Sequence, residues 1–364
     1  MIPQKLLILS FVASLTALNA LKDGVPRFTT KNRGSYVAPG KLHRRLHNPK
    51  RPTHSQTTPT PERALLVPKH SANSVPRNLI AAAKSIGNAP PPIPAEELET
   101  LAALYHSLSG PNWHIKDGWM SASNPCGSNS SGGINNTWYG VECTAFESAP
   151  GVNASSHVVG IVLPQNNLVG KLQSLHNLKH VHNVDFSNPE SSDVFEFQNS
   201  VGGTLDSFCG LGNLFKVLLA GNNITGSIPG CIQSLANATV LDLAFNAIQG
   251  TTPDDICRLR NLEELLLRGN RLEGSVPECI GEELTALRVL DYSNINADYS
   301  FGNQYLSGTL PVSLCYLEHL ESLSFQCTQG LEGTIPYCLG AKQPQLQFLE
   351  LQVNQFHGPL HEEL

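Results

Sequence analysis

Two stretches of the chain superimpose without a gap. Leu214-Phe-Lys-Val217-Leu-Leu219-Ala-Gly-Asn222-Asn-Ile224-Thr-Gly226-Ser-Ile228-Pro229 and Leu262-Glu-Glu-Leu265-Leu-Leu267-Arg-Gly-Asn270-Arg-Leu272-Glu-Gly274-Ser-Val276-Pro277 agree at every apolar position, at the Asn, at the Gly and at the Pro. The pattern L-x-x-L-x-L-x-x-N-x-L-x-G-x-[IL]-P returns around Leu241 and Asn246, Leu323 and Gly333, and Leu349 and Asn354. It recurs more loosely around Ile161 and Asn166, and the units around Val184 and Leu290 carry insertions. About eight units of about 24 residues thus fill residues 158–364, the last one truncated.

The spacing dictates the architecture. L-x-L puts two side chains on one face of a short strand. One unit cannot bury that face alone, so stacked units share a continuous core. The recurring Asn (166, 222, 246, 270, 354) is expected to hydrogen-bond backbone groups of the turn that leaves the strand. The Gly permits a backbone bend that other residues resist, and the Pro opens a short extended or 3₁₀ stretch on the outer face.

Gly226-Ser-Ile-Pro229, Gly274-Ser-Val-Pro277, Gly308-Thr-Leu-Pro311 and Gly333-Thr-Ile-Pro336 carry the G-x-[IL]-P segment in register. In this the chain resembles the plant-type leucine-rich-repeat family over residues 95–364. The resemblance implies an α/β repeat solenoid, a right-handed superhelix with a concave parallel β-sheet and a helical N-terminal cap. It also implies the family's work, which is binding proteins, peptides or glycans as receptors and enzyme inhibitors.

Upstream of the repeats, Leu6–Leu18 is a mostly apolar run after Lys5, short for a membrane span and suited to a secretory signal over 1–20. An uncleaved anchor is the other reading. Residues 21–94 hold thirteen Lys/Arg against Asp23 and Glu62, a net of +11, and twelve of the 25 prolines. Such a composition cannot bury enough apolar surface to order itself, and a disordered N-terminal tail is expected. Residues 95–364 carry ten basic and 28 acidic residues, a net of −18. The tail reads as a solvated linker or pro-segment; adhesion to an acidic wall polymer and half of a two-part organelle address are the alternatives.

Residues 95–157 are expected to form the cap. Leu98, Leu101, Tyr105 and Leu108 make the apolar stripe of a helix, with acids in its first turn and Gly110 after its end. Trp113, Trp119, Cys126 and Trp138-Tyr-Gly-Val-Glu-Cys143 follow. This order resembles the N-terminal cap of plant-type repeats, which implies one disulfide between Cys126 and Cys143.

Cys209 and Cys231, Cys257 and Cys279, and Cys315 and Cys338 lie 22, 22 and 23 residues apart, one coil each, so each pair is expected to meet on the outer face. The alternative is a set of small buried hydrophobes in a reducing cell. Cys327 is left over. Five sequons begin at Asn129, Asn135, Asn153, Asn223 and Asn237, in keeping with secretion.

For catalysis the sequence offers little: a phosphate-binding glycine loop, HExxH and G-x-S-x-G are all missing. His176, His180 and His182 have metal-like spacing, yet ligating carboxylates are not evident nearby, and neither metal nor cofactor is expected. Asp185, Asp242, Asp291 and Glu350 sit between paired strand residues and are expected to stack into an acidic column. Exposed positions of the concave face vary from unit to unit: Phe215, Lys216 and Leu218, then Val240, Asp242 and Phe245, then Glu263, Glu264 and Arg268, then Arg288 and Asp291. That mixture suits a protein or peptide ligand. A secreted or cell-surface recognition module follows, not an enzyme and with no nucleic-acid partner. A wall or matrix protein held by its basic tail and an enzyme inhibitor are the alternatives. The terminal His361-Glu-Glu-Leu364 resembles a retrieval signal of the endoplasmic reticulum. It is also a repeat segment in register, and that reading leaves an uncapped apolar edge open to self-association.

Overall fold

A computed structural model describes residues 93–121, 124–126, 138–146, 155–188, 198–294, 303, 305–339 and 341–359. The expectations for residues 1–92, for Asn129, Asn135 and Asn153 and for 361–364 lie outside the described residues. Ile93, assigned by composition to the tail, is 8% exposed and belongs to the core.

The repeats stack into one nine-stranded sheet. Its first pair, Val141–Phe146 with Ser155–Val162, is antiparallel. The parallel strands Asn183–Asp185, Lys216–Leu218, Val240–Asp242, Glu264–Leu266, Val289–Asp291, Ser322–Ser324 and Phe348–Glu350 follow in chain order. The register is constant: Ile161, Val184, Val217, Leu241, Leu265, Leu290, Leu323 and Leu349 align as the middle, inward row. A second tier of short parallel strands from Val169–Lys171 onward runs beside it. The 3₁₀ segments Leu205–Phe208, Gly230–Ser234, Asp254–Arg258 and Val312–Tyr316 and the short helix α2 (Cys279–Glu283) close the coils. The numbering takes α1 as Ala95–Ser107 in the cap.

Asparagine joins coil to coil. Asn246 donates to Leu243 O of its own coil and Leu219 O of the coil before, and its Oδ1 accepts from Ile224 N. Asn270 repeats this with Leu267 O, Leu243 O and Ile248 N at 3.0, 2.9 and 3.1 Å. Asn199 and Asn303, which lie beyond the two insertions, occupy the same rung. Sequence spacing missed them because the insertions push each out of period. The tell-tale was the Asn before Ser200-Val-Gly-Gly203 and before Gln304-Tyr-Leu-Ser-Gly308.

The glycine of each G-x-[IL]-P segment is left-handed, from 76° at Gly274 to 83° at Gly333. Space is also limited there, since a Cβ on Gly333 would lie 2.8 Å from Thr309 Cγ2. Disulfides join Cys209 to Cys231, Cys257 to Cys279 and Cys315 to Cys338, with Cα atoms 5.5, 5.9 and 5.6 Å apart. Cys327 is a buried free thiol.

The cap seals the first coil. Leu101, Leu104 and Leu108 of α1 and its C-cap are fully buried, but Leu98 is 40% exposed and is not part of the stripe. The buried acid Glu97 takes the inward place instead. It accepts from Val158 N at 2.8 Å and contacts His157 Nδ1 at 2.5 Å, so α1 is tied to the first strand. Trp113 and Trp119 are buried against Tyr105, with edge-on contacts of 5.1 Å (Tyr105–Trp113) and 4.8 Å (Trp113–Trp119), and buried Trp138 lies 4.9 Å from Trp119. Cys126 and Cys143 are joined beside them, Cα to Cα 5.7 Å. Asn166, with no earlier coil to bond, donates to Ile115 O of the cap at 2.9 Å.

Asn270→Ala leaves Ile248 N unpaired in the core, at a cost of roughly 1–3 kcal/mol. It also removes one of two donors from Leu243 O and Leu267 O, which keep Asn246 and Asn303 and lose roughly 0.5–1.5 kcal/mol each. Urea unfolding is expected to show a loss of about 3 kcal/mol. Asn213→Ala, which removes one exposed bond to Lys179 O, is the comparison and is expected to lose about 1 kcal/mol at most.

Candidate functional site

Alternation fixes which side chains stand on the outward face of the long sheet. Across strands, the rows are in register. One begins at Asn183 and continues through Lys216, Val240, Glu264, Val289, Ser322 and Phe348. The next runs Asp185, Leu218, Asp242, Leu266, Asp291, Ser324 and Glu350.

That second row corrects the acidic column. Leu218 and Leu266 stand between the aspartates, so no two of them are neighbours. Each aspartate has a local task. Asp185, Asp242 and Asp291 accept from the backbone N–H two residues on, at Ser187, Ala244 and Ser293, at 2.9, 3.1 and 2.8 Å. They cap the turn that leaves the strand. Val240 and Asp242 were expected to be exposed, but they are 7% and 6% exposed, shielded within the face.

Phe215, Lys216, Leu218, Phe245, Glu263, Glu264, Arg268 and Asp291 are half-buried and Arg288 is exposed. Two anchored groups emerge. At one, the Arg268 guanidinium lies 4.9 Å from the Phe245 ring centroid and its Nε is 3.8 Å from Asp291 Oδ2. Burial lowers the arginine from its usual range and raises Asp291, and each opposes the other's shift. Phe245 holds a left-handed φ of 52°, and Gly269 gives its ring room: a Cβ there would meet Phe245 Cδ1 at 2.6 Å. At the other, Arg288 donates twice to Glu321, at 2.8 and 2.7 Å, with Glu263 at 3.7 Å. The Glu321 hydrogen bond raises Arg288 above the usual guanidinium value.

The histidines fall apart as a metal set. His176 bonds Ser174, His180 packs against His157 at 4.2 Å, and His182 packs against Phe215 at 5.2 Å. Among the described residues, Asp206, Cys209 and Cys231 form the one cluster with ligand-like spacing, and its two sulfurs are bonded to each other. His157 was not singled out by sequence; it lies 23 residues before His180, about one coil, and the fold stacks the two. Asn223 and Asn237, the described sequon asparagines, are both exposed and off the long sheet, and Asn237 donates to Gly212 O at 2.7 Å.

Burial, then the His157 charge, lowers His180, against a smaller opposing pull from Glu97; burial and His180 lower His182. A depressed imidazole is neutral in the folded chain where the unfolded chain binds a proton. These two histidines therefore cost stability as pH falls below about 6.5 toward their folded values. His180→Phe is expected to show a smaller fall in Tm than the parent between pH 7.5 and 5.5. Parallel melting curves for the pair check this, and equal falls refute it.

The leucine-rich repeat family model matches residues 212–272. Receptor-like protein 35 of Arabidopsis thaliana is 31% identical over 176 residues, 48% of this chain and 15% of that protein. The ectodomain of the receptor kinase GASSHO1/SCHENGEN3 from Arabidopsis thaliana, solved in complex with CASPARIAN STRIP INTEGRITY FACTOR 2, aligns with a TM-score of 0.51 at 24% identity. That alignment covers 73% of this chain and 31% of the ectodomain. A plant ice-binding protein aligns with a TM-score of 0.52 at 20% identity, over 74% of this chain and 83% of its own. At these identities the structural likeness is one of fold. The chain has a leucine-rich-repeat solenoid fold and is similar over 48% of its length to a plant receptor-like protein, of which it spans 15%.

Proposed function

We propose that this chain is an extracellular or cell-surface recognition module that binds a protein or peptide on the outward face of its long sheet, between Phe215 and Asp291. The observation that carries the reading is the Phe245–Arg268–Asp291 group. An aromatic ring, a cation and an anion hold one another half-buried, and partly desolvated arginine and aromatic side chains of this kind are what binding hot spots are made of. Four disulfides support an oxidising setting. Among the described residues no helix is long and apolar enough to cross a membrane. The GASSHO1/SCHENGEN3 ectodomain, of the same fold, was solved with a bound factor. The exposed Asn223 and Asn237 lie away from the face, which keeps glycans clear of a ligand there.

The test uses a partner captured on the immobilised protein. Phe245→Ala, Glu264→Lys and Arg268→Glu together are expected to weaken its binding at least tenfold. Arg258→Glu with Glu282→Lys, both exposed on the outer side, are expected to leave it unchanged. Unchanged affinity in the first set, with an unchanged melting curve, overturns the assignment.

A further inference from the structure

On its N-terminal side the long sheet passes into the antiparallel cap strand, and one row of the outward face there holds a desolvated carboxylate and an unpaired amide oxygen on either side of a glycine. Glu142 pairs with Gly160, Gly160 with Asn183, and Asn183 with Lys216. Gly160 contributes no side chain, and the Glu142 carboxylate fills the space above it. A Cβ on Gly160 would stand 2.3 Å from Glu142 Oε2. On the other side of Gly160, Asn183 Oδ1 is buried and has no hydrogen-bond partner among the described residues. Burial raises the Glu142 carboxyl, and no cation offsets that shift.

Buried polar atoms in folded proteins are paired, so an unpaired one marks a place where something else supplies the partner. The Glu142 carboxylate and Asn183 Oδ1 are both acceptors and cannot satisfy each other, and neither Asn183 Nδ2 nor Lys216 Nζ, the donors nearest them in the row, bonds either one. What both lack is an N–H donor, and a positively charged donor also relieves the desolvated carboxylate. An ammonium has three donors on a narrow stem, enough to serve both acceptors at once, and suits them better than the broad planar fork of a guanidinium. The net charge of −18 on residues 95–364 draws cations toward the solenoid.

We propose that Glu142, Gly160 and Asn183 form a subsite for an alkylammonium group of a peptide ligand, which Glu142 and Asn183 hold by accepting its N–H bonds. The subsite deepens the recognition reading above and rests on it. The ammonium has two sources, a lysine side chain and a peptide N-terminus.

Three blocked or free tripeptides separate them, titrated into the full chain by ligand-observed NMR. They are acetyl-Gly-Lys-Gly-amide, acetyl-Gly-norleucine-Gly-amide and Gly-norleucine-Gly-amide with its free amine. The lysine peptide is expected to bind at least tenfold more tightly than the blocked norleucine peptide. Tighter binding of the free-amine peptide also supports the subsite and assigns it to a terminus. Glu142→Gln, nearly isosteric, is expected to abolish the preference without shifting the melting curve, and Asn183→Leu to reduce it. Equal binding of lysine and norleucine peptides, no binding of any at millimolar concentration, or a preference that survives Glu142→Gln overturns the proposal. The Phe245, Glu264 and Arg268 substitutions leave Glu142, Gly160 and Asn183 unchanged, the nearest of them in the row, Glu264, lying three strands beyond Asn183. A lysine preference with unchanged partner capture therefore defeats the face assignment alone, and lost capture without a lysine preference defeats the subsite alone.

Discussion

Each described coil of this solenoid but one depends on one asparagine amide. A short strand followed by a sharp turn leaves carbonyls and N–H groups pointing into an apolar stack, where water cannot reach them. The Asn side chain has two donors and an acceptor, enough to serve its own turn, the carbonyl of the coil before and the N–H of the coil before at once. Asn246 and Asn270 do this with nearly identical distances. A leucine core holds the coils together, but leucine packing is tolerant of sliding, and the directional bonds of the amide set the register. Where the chain puts Thr328 on the rung, the hydroxyl still donates to Asn354 Oδ1 at 2.6 Å, and Asn354 donates to Phe325 O at 2.7 Å. The ladder continues with one partner changed.

The same rung explains how two units accept insertions. In both, the extra residues enter between the end of the turn and the asparagine. The break is closed by a second asparagine: Asn199 N donates to Asn188 Oδ1 at 2.7 Å, and Asn303 N donates to Asn294 Oδ1 at 3.1 Å. Asn188 also reaches Gly221 O of the following coil. Loop closure grows only slowly in entropic cost with length, so a loop pinned by two hydrogen bonds at its base disturbs the stack little.

Periodicity made the stack legible in the sequence, because inward leucines, the turn asparagine and the left-handed glycine each repeat for a local reason. The cap helix was legible as a helix but not in its inward face. Hydrophobic spacing put Leu98 inside, whereas Glu97 goes in, since its carboxylate accepts the Val158 N–H that the first repeat strand presents and a leucine cannot. The aspartates of the face were misread for a related reason. Spacing shows that they share a row but not that each caps its own turn, nor that alternate coils carry leucine there. The arginine on Phe245 could not have been seen at all, because the pair belongs to neighbouring coils and depends on Phe245 adopting a left-handed backbone.

These constraints divide the repeat into a part that cannot vary and a part that can. The rung, the inward leucines and the glycine bend satisfy the backbone and fill the core, so substitutions there unbalance a neighbour as well as the coil itself. The outward positions other than the turn-capping aspartates carry no such duty, and there the chain places Lys216 in one coil, Glu263 and Arg268 together in another, and Arg288 in the next. Their surroundings differ in a way that matters for recognition. Arg288 shares its charge with two glutamates in open solvent, where ion pairs contribute little. Arg268 has a side chain only 12% exposed and is fixed by an aromatic face and a capped aspartate. A ligand that meets Arg268 finds a group already oriented and largely stripped of water, so less ordering and desolvation remain to oppose binding. The rigid asparagine rung beneath makes that orientation permanent, and this is how a backbone requirement, repeated coil after coil, becomes a preorganised surface.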